Sequence, residues 1–378
     1  MKRFFAVFSL LAVLAGCFPA RVDALAISAP SAVLMEKSTG SVLFAKDEHT
    51  PREPASVTKV MTLLLTMEAI DSGLLSYDDI VTGSAHASSM GGSQIWLKEG
   101  EQMTVRDLLK AVCVVSGNDA AVALGEHLAG SEDAFVDRMN KRAQELGMLD
   151  THFVNATGLP AAGHVTSAHD IAVMSRELIL NHPDLRQFTT IWMDSLRDGE
   201  SMLVNTNKLI RFYDGATGLK TGSTDSAGYC LSATAERGGM ELIAVVMNGK
   251  TSDERFADAR ALLDYGFATY TLVSVAPDAA LAPLPVELGE RSAVQPVLTK
   301  DNTLLLEKTA LNGLQKELSL PDAVPAPVAE GDRLGELRVK DAAGETVAVL
   351  PILAGESVRH ITWLQMFRRM LRLAFCAP

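Results

Sequence analysis

Strand-type sequence stands at both ends of the segment 32–267, with helical periodicity between. At the near end, 32–36 and 41–45 are short apolar runs around Ser38-Thr39-Gly40, a hairpin signal. After Ser56, Val60, Leu63, Leu64, Met67 and Ile70 recur at the three-to-four spacing of a helix. Further helices are expected at 104–116, 120–128, 132–146 and 167–180, the last capped by Thr166 or Ser167 with Asp170 in its first turn. Strand signals return at 218–221, 229–236 and 240–247, with Gly238-Gly239 as a turn, before a helix over 255–267. A chain ordered this way buries its apolar faces in one sheet drawn from both ends, with helices packed on the sheet's faces. The expected class is α/β (α+β).

Beyond this segment the pattern changes. Residues 276–285 shift to Pro, Ala and Val with little periodicity, the mark of a linker. Short β-like runs follow at 286–287, 293–299, 303–308, 317–320, 333–340 and 346–352, punctuated by Pro325-Ala326-Pro327 and Gly331-Asp332. They predict a small all-β domain, and no cluster of catalytic residue types falls in it. Lys2 and Arg3 precede an uncharged run over 4–16, and Val22-Asp23-Ala24 offers a cleavage site after Ala24, so 1–24 reads as an export signal. Leu14-Ala15-Gly16-Cys17 also resembles the lipobox of bacterial lipoproteins, which leaves lipidation of Cys17 as the other route. The expected organisation is therefore 1–24 signal, 25–275 catalytic domain, 276–357 β-rich domain and 358–378 tail.

Charge separates the tail from the rest. The chain carries a formal net charge of −12, which argues against attraction to nucleic acid, yet no acid follows Glu356 while four arginines do. As a helix over 361–375, the tail would place Thr362, Gln365, Arg368, Arg369 and Arg372 on one arc. Trp363, Leu364, Met366, Phe367, Met370, Leu371 and Leu373 would occupy the other. A basic amphipathic helix of this kind suits an anionic membrane surface; the plainer reading is a docked helix covering a groove. Cys113 and Cys230 sit in apolar runs and read as buried hydrophobes, without disulfide or metal spacing. No cofactor or metal is expected.

Three short motifs carry the chemistry. In Ser56-Val57-Thr58-Lys59, Ser and Lys three apart share one face of an opening helix, where the positive end favours a developing oxyanion. A lysine works as a base only if burial or a second cation lowers its pKa, and Lys220 is a candidate second cation. Ser116-Gly117-Asn118 offers a hydroxyl to relay a proton and an amide to orient the lysine or the substrate. Lys220-Thr221-Gly222 lies on a strand, where Gly222 leaves room for a substrate strand and Lys220 with Thr221 suits a carboxylate.

Together and in this order, these motifs resemble the penicillin-binding proteins and serine β-lactamases. Gly92-Ser93-Gln94 before Trp96, Ser116-Gly117-Asn118-Asp119-Ala120, the run from His152 to Pro160, Thr206-Asn207-Lys208-Leu209 and Thr217-Gly218-Leu219-Lys220-Thr221-Gly222 are similar to the low-molecular-weight D-alanyl-D-alanine carboxypeptidases. The resemblance implies a transpeptidase-like mixed sheet flanked by helices, with Ser56 acylated and Lys59 its base. Ser116 and Asn118 would serve proton transfer and positioning, and Lys220 with Thr221 would bind the terminal carboxylate. The backbone N–H groups of Ser56 and Ser223 would form the oxyanion hole; some relatives carry histidine where Ser223 stands. It further implies removal of the terminal D-alanine from peptidoglycan stem pentapeptides, covalent inhibition by β-lactams, and a peripheral location on the outer face of the bacterial cytoplasmic membrane.

Three rival readings have a basis in the residues. Glu177-Leu178-Ile179-Leu180-Asn181 matches a deacylating motif of one β-lactamase class, but falls at the end of a helix rather than on a loop. His164 and Asp170 have a spacing suggestive of a zinc peptidase, without a convincing third ligand; a capped loop-to-helix junction accounts for both. His86, His127 and His152 read as isolated polar residues. A noncatalytic wall-binding or penicillin-sensing protein could share the fold, and intact Ser56, Lys59 and Lys220 argue against it.

Overall fold

The computed structural model describes residues 25–299 and 302–375, so the signal-type segment with Cys17, and Cys376, lie outside it. Five strands form the central sheet: β1 (Ser31–Glu36), β2 (Val42–Lys46), β3 (Ala216–Thr224), β4 (Gly228–Arg237) and β5 (Met240–Gly249). Their order across the sheet is β2-β1-β5-β4-β3, so the N-terminal hairpin docks on the C-terminal meander, as the sequence pattern requires. All four ladders run antiparallel, where the family resemblance implied a mixed sheet.

The strands at the centre are apolar on both faces, and alternation sorts their side chains into two cores. Val33, Met35, Ile243, Val245 and Met247 face one core, while Ala32, Leu34, Leu242, Ala244 and Val246 face the other. On the first face pack α1 (Lys59–Asp71), α2 (Val105–Val114), α3 (Asn118–Ala129), α4 (Glu132–Glu145) and α5 (Ala168–Asn181). On the second lies α6 (Ser252–Thr269), which supplies Phe256, Leu262 and Leu263. Side-chain caps begin several helices: Ser167 accepts from the Asp170 N–H, as expected, and Thr104 from the Asp107 N–H. Two small antiparallel strand pairs, Ile80–Thr82 with Gln102–Thr104 and Met193–Leu196 with Ser201–Val204, were not anticipated; strands of three or four residues leave no readable period.

The β-rich region holds two cores of its own, around Val294 and Val358 and around Leu337 and Ile352. Its larger sheet joins Pro296–Leu298, Thr346–Ala354, Arg333–Lys340 and Gln315–Ser319. Tyr270–Ser274, directly after α6, pairs with Thr303–Glu307 and couples the two regions. The last helix, α7 (Trp363–Phe375), opens with a capping box in which Thr362 and Gln365 exchange hydrogen bonds. Trp363, Leu364, Phe367, Met370 and Leu371 are exposed along it, so the plainer expectation of a helix covering a groove does not hold. Among the described residues, no helix is long and apolar enough to cross a membrane.

Candidate active site

The Ser-x-x-Lys motif does not open an α-helix directly. Ser56 sits in a 3₁₀ turn, Ala55–Thr58, and α1 begins at Lys59. In a 3₁₀ turn residues three apart eclipse, which stacks the Ser56 and Lys59 side chains. Lys59 Nζ lies 2.8 Å from Ser56 Oγ and donates to the Thr157 carbonyl at 2.9 Å. Lys59 is fully buried. Burial pushes its pKa well below the usual lysine range, the Lys220 charge lowers it further, and Asp119 opposes both. A neutral amine that gives one N–H to Thr157 can turn its lone pair on the Ser56 hydroxyl.

The turn is held by a close approach that only glycine permits. Gly158 has φ +83°, and a Cβ there would stand 1.8 Å from the Ala55 carbonyl oxygen. Ala55 itself has φ 48° and Ser116 φ 65°, both in the left-handed region. Such backbone strain in non-glycine residues gathers at functional sites. The same bend at Ser116 ends α2 at Val114, short of the expected helix end at 116.

Ser116 and Asn118 form the second wall. Asn118 Nδ2 donates to the Gly91 carbonyl at 2.6 Å, and its backbone N–H to Ser93 O at 2.7 Å. The Ser116 hydroxyl and the Asn118 Oδ1 are buried without a protein partner, which marks places where a ligand's polar atoms can bind. Next to them Asp119, fully buried, accepts from the N–H groups of Ile95 and Leu97 and so fixes the loop that carries Ser93.

Strand β3 is the third wall and an open edge of the sheet. Lys220 on it is buried and pushed down to about 7, chiefly by burial, with Cys113 opposing and Arg255 adding. Thr221 shares a hydrogen bond of 2.7 Å with Thr206. A Cβ on Gly222 would meet Pro54 O, Ser56 N and Val57 N at 2.8–2.9 Å. Gly222 is therefore required by the Ser56 turn itself, where the sequence pattern suggested room for a substrate strand. Ser223 follows with its side chain exposed.

All of Ser56, Lys59, Ser116, Asn118, Lys220, Thr221, Gly222 and Ser223 thus lie on three adjoining walls. Sequence reasoning gave no role to Arg255 of α6, which is buried and donates to the carbonyls of Gly222 and Cys230 at 3.0 and 3.2 Å. No local signal distinguishes that arginine from a surface one, because its partners come from two other strands. Asp119 and the Thr157 carbonyl were likewise missed as site residues, although both fall inside runs that carried the family resemblance.

The residues behind the rival readings have structural partners. Arg142 of α4 reaches Glu68 of α1 and Glu177 of α5, each at 2.7 Å, so Glu177 bridges helices. Asp170 accepts from the Asp150 N–H and the Thr151 hydroxyl. His164 is engaged at both ring nitrogens, accepting from the Val154 N–H at 3.1 Å and bonded to the Thr58 hydroxyl at 2.8 Å. Cys113 and Cys230 are both free and buried, and burial pushes the Cys113 thiol up to about 12.

A strained serine turn, a buried lysine against the serine and an edge strand bearing a second buried lysine define a serine hydrolase of the Ser-x-x-Lys class. Residues 19–251 match the D-alanyl-D-alanine carboxypeptidase (peptidase S11) family, and 269–360 match the C-terminal domain of penicillin-binding protein 5. The chain belongs to the D-alanyl-D-alanine carboxypeptidase family. It is 42% identical over 356 residues to D-alanyl-D-alanine carboxypeptidase DacF of Bacillus subtilis, covering 93% of this chain and 91% of the relative. Penicillin-binding protein 5 from Haemophilus influenzae superposes with a TM-score of 0.79 at 29% identity, over 89% of this chain and 98% of that one. Penicillin-binding protein D2 from Listeria monocytogenes, solved with ampicillin bound, gives a TM-score of 0.59 at 35% identity, over 65% of this chain and 99% of that one.

Proposed function

We propose that this protein removes the terminal D-alanine from peptidoglycan stem pentapeptides through an acyl-enzyme on Ser56, and that β-lactams trap the same serine. The observation that carries the reading is the fully buried Lys59 amine at 2.8 Å from Ser56 Oγ, beside a second buried lysine.

Neutral Lys59 takes the Ser56 proton as Oγ attacks the carbonyl carbon of the penultimate D-alanine. The backbone N–H groups of Ser56 and Ser223 receive the oxyanion, worth about 3–4 kcal/mol for such donors. Ser116 passes the proton to the leaving amine, and Asn118 holds the substrate amide or the lysine. Protonated Lys220 with Thr221 grips the free carboxylate, converting binding into orientation at a C-terminus. Water then cleaves the ester and restores Ser56.

The remaining assignments belong to the same reading. Residues 1–24 direct export, 25–275 carry the reaction, and 276–357 form a spacer. The 358–378 tail rests on the outer face of the cytoplasmic membrane through the apolar row of α7, which is exposed and borders arginines without neighbouring acids in the tail sequence.

The test is release of free D-alanine from diacetyl-L-Lys-D-Ala-D-Ala, wild type against Ser56→Ala, with a chelator present. Steady release by the wild type alone supports the carboxypeptidase. Labelling of Ser56 by a fluorescent penicillin without any release would favour a sensor and defeat the proposal.

A further inference from the structure

We propose that His164 is a positioning residue for acylation: it pins the loop running from Val154 to Val165 onto the nucleophile's turn and so fixes the Thr157 carbonyl against Lys59 Nζ. This rests on the reading of Ser56 and Lys59 as nucleophile and base.

Three successive buried polar side chains of the turn and α1 are stitched to this loop. Thr58 bonds His164 Nε2 at 2.8 Å, Lys59 donates to Thr157 O at 2.9 Å, and Thr62 donates to Ala156 O at 2.8 Å. His164 accepts at Nδ1 from the Val154 N–H, so the proton sits on Nε2 and is donated to Thr58. One neutral imidazole therefore ties the beginning of the loop, its end, and Thr58, the residue before Lys59. His164 is only 2% exposed, and its ring packs edge-on against Phe153 at 5.8 Å.

The consequence falls on Lys59. Its depressed proton affinity depends first on burial, and the loop contributes to that burial through the Thr157 carbonyl against Nζ. Loosening the loop admits water and returns the amine toward its protonated form, which cannot act as a base. The other groups facing this network are Lys220 from β3 and Asp119 from α3 around Lys59, with Arg255 and Cys113 around Lys220. His152 faces His164, and Glu132 of α4 accepts from the Ala156 N–H while its other oxygen pairs with His86. None of these groups replaces the His164–Thr58 bond.

The experiment measures second-order acylation of the full chain by a fluorescent penicillin between about pH 5 and pH 10, together with thermal stability. His164→Ala is expected to move the acidic limb of the profile about one unit to higher pH, with about a tenfold slower rate on that limb. His164→Gln, which keeps one acceptor and one donor in a neutral group, should return the limb to its wild-type position. Thr58→Val removes the acceptor at nearly constant volume and should shift the limb in the same direction, which keeps the test open if His164→Ala does not fold. Variants that lose stability while the limb stays put would overturn the proposal and leave His164 a structural residue. Wild-type protein that is not labelled, or Ser56→Ala labelled equally, would overturn the underlying Ser56 reading and this proposal with it.

Discussion

Two lysines buried within one site cannot both hold full charge cheaply, and that conflict sets the pH dependence of the reaction. On the proposed mechanism, Lys59 must be neutral to accept the serine proton, while Lys220 must be charged to grip a carboxylate. The rate on a peptide with a free C-terminus should rise as Lys59 deprotonates and fall as Lys220, pushed down to about 7, loses its proton, so kcat/KM should be bell-shaped. Lys220→Gln removes the neighbouring cation, raises the Lys59 pKa and should move the acidic limb of penicillin acylation to higher pH; a limb that stays put would contradict the coupling. His164 adds a stability term. Its folded pKa is lowered from 6.5 to about 4 by burial, so the unfolded chain takes up the proton first on acidification. Stability should therefore fall as pH drops from 6.5 to about 4, by about 3 kcal/mol in all. Denaturant melts of wild type and His164→Gln across that window should differ in slope, the variant being flatter.

Elements matter where they carry a motif into or out of reach of the serine. The Glu177 run is set by α5 against Arg142, so Glu177→Gln should leave the rate of penicillin ester hydrolysis unchanged and lower stability by about 1–2 kcal/mol. A fall in deacylation beyond the loss of stability would revive the β-lactamase reading. The helices and main strands were readable because each is a long, mostly apolar run bounded by turn residues, with Val60, Leu63, Leu64 and Met67 of α1 all buried. The 3₁₀ turn at Ser56 was not, since four residues hold no period and the turn exists only because Gly158 and Gly222 let two other segments approach it. At α7, Phe367→Asp places a charge in the middle of the exposed apolar row. It should release the protein from anionic vesicles in a sedimentation assay while D-alanine release in solution persists.

Across the whole molecule the two regions keep separate cores, joined through the Tyr270–Ser274 and Thr303–Glu307 pairing. The proposed 25–275 fragment should thus hydrolyse a short peptide within about threefold of the full chain, and scanning calorimetry of the full chain should resolve two transitions. A fragment that is folded but inactive would place part of the site's support in the β-rich region. The order of strands and helices, the Ser-x-x-Lys, Ser-x-Asn and Lys-Thr-Gly triplets and the amphipathic tail are local patterns. The amino-acid sequence by itself determined them, and with them the family and the candidate reacting groups. Only the tertiary structure decided that Lys59 is buried against Thr157, that Arg255 reaches Gly222 from the opposite face of the sheet, and that His164 ties its loop to Thr58. The physical reason is that burial, proton affinity and backbone strain arise from segments distant in the chain, which no local spacing records.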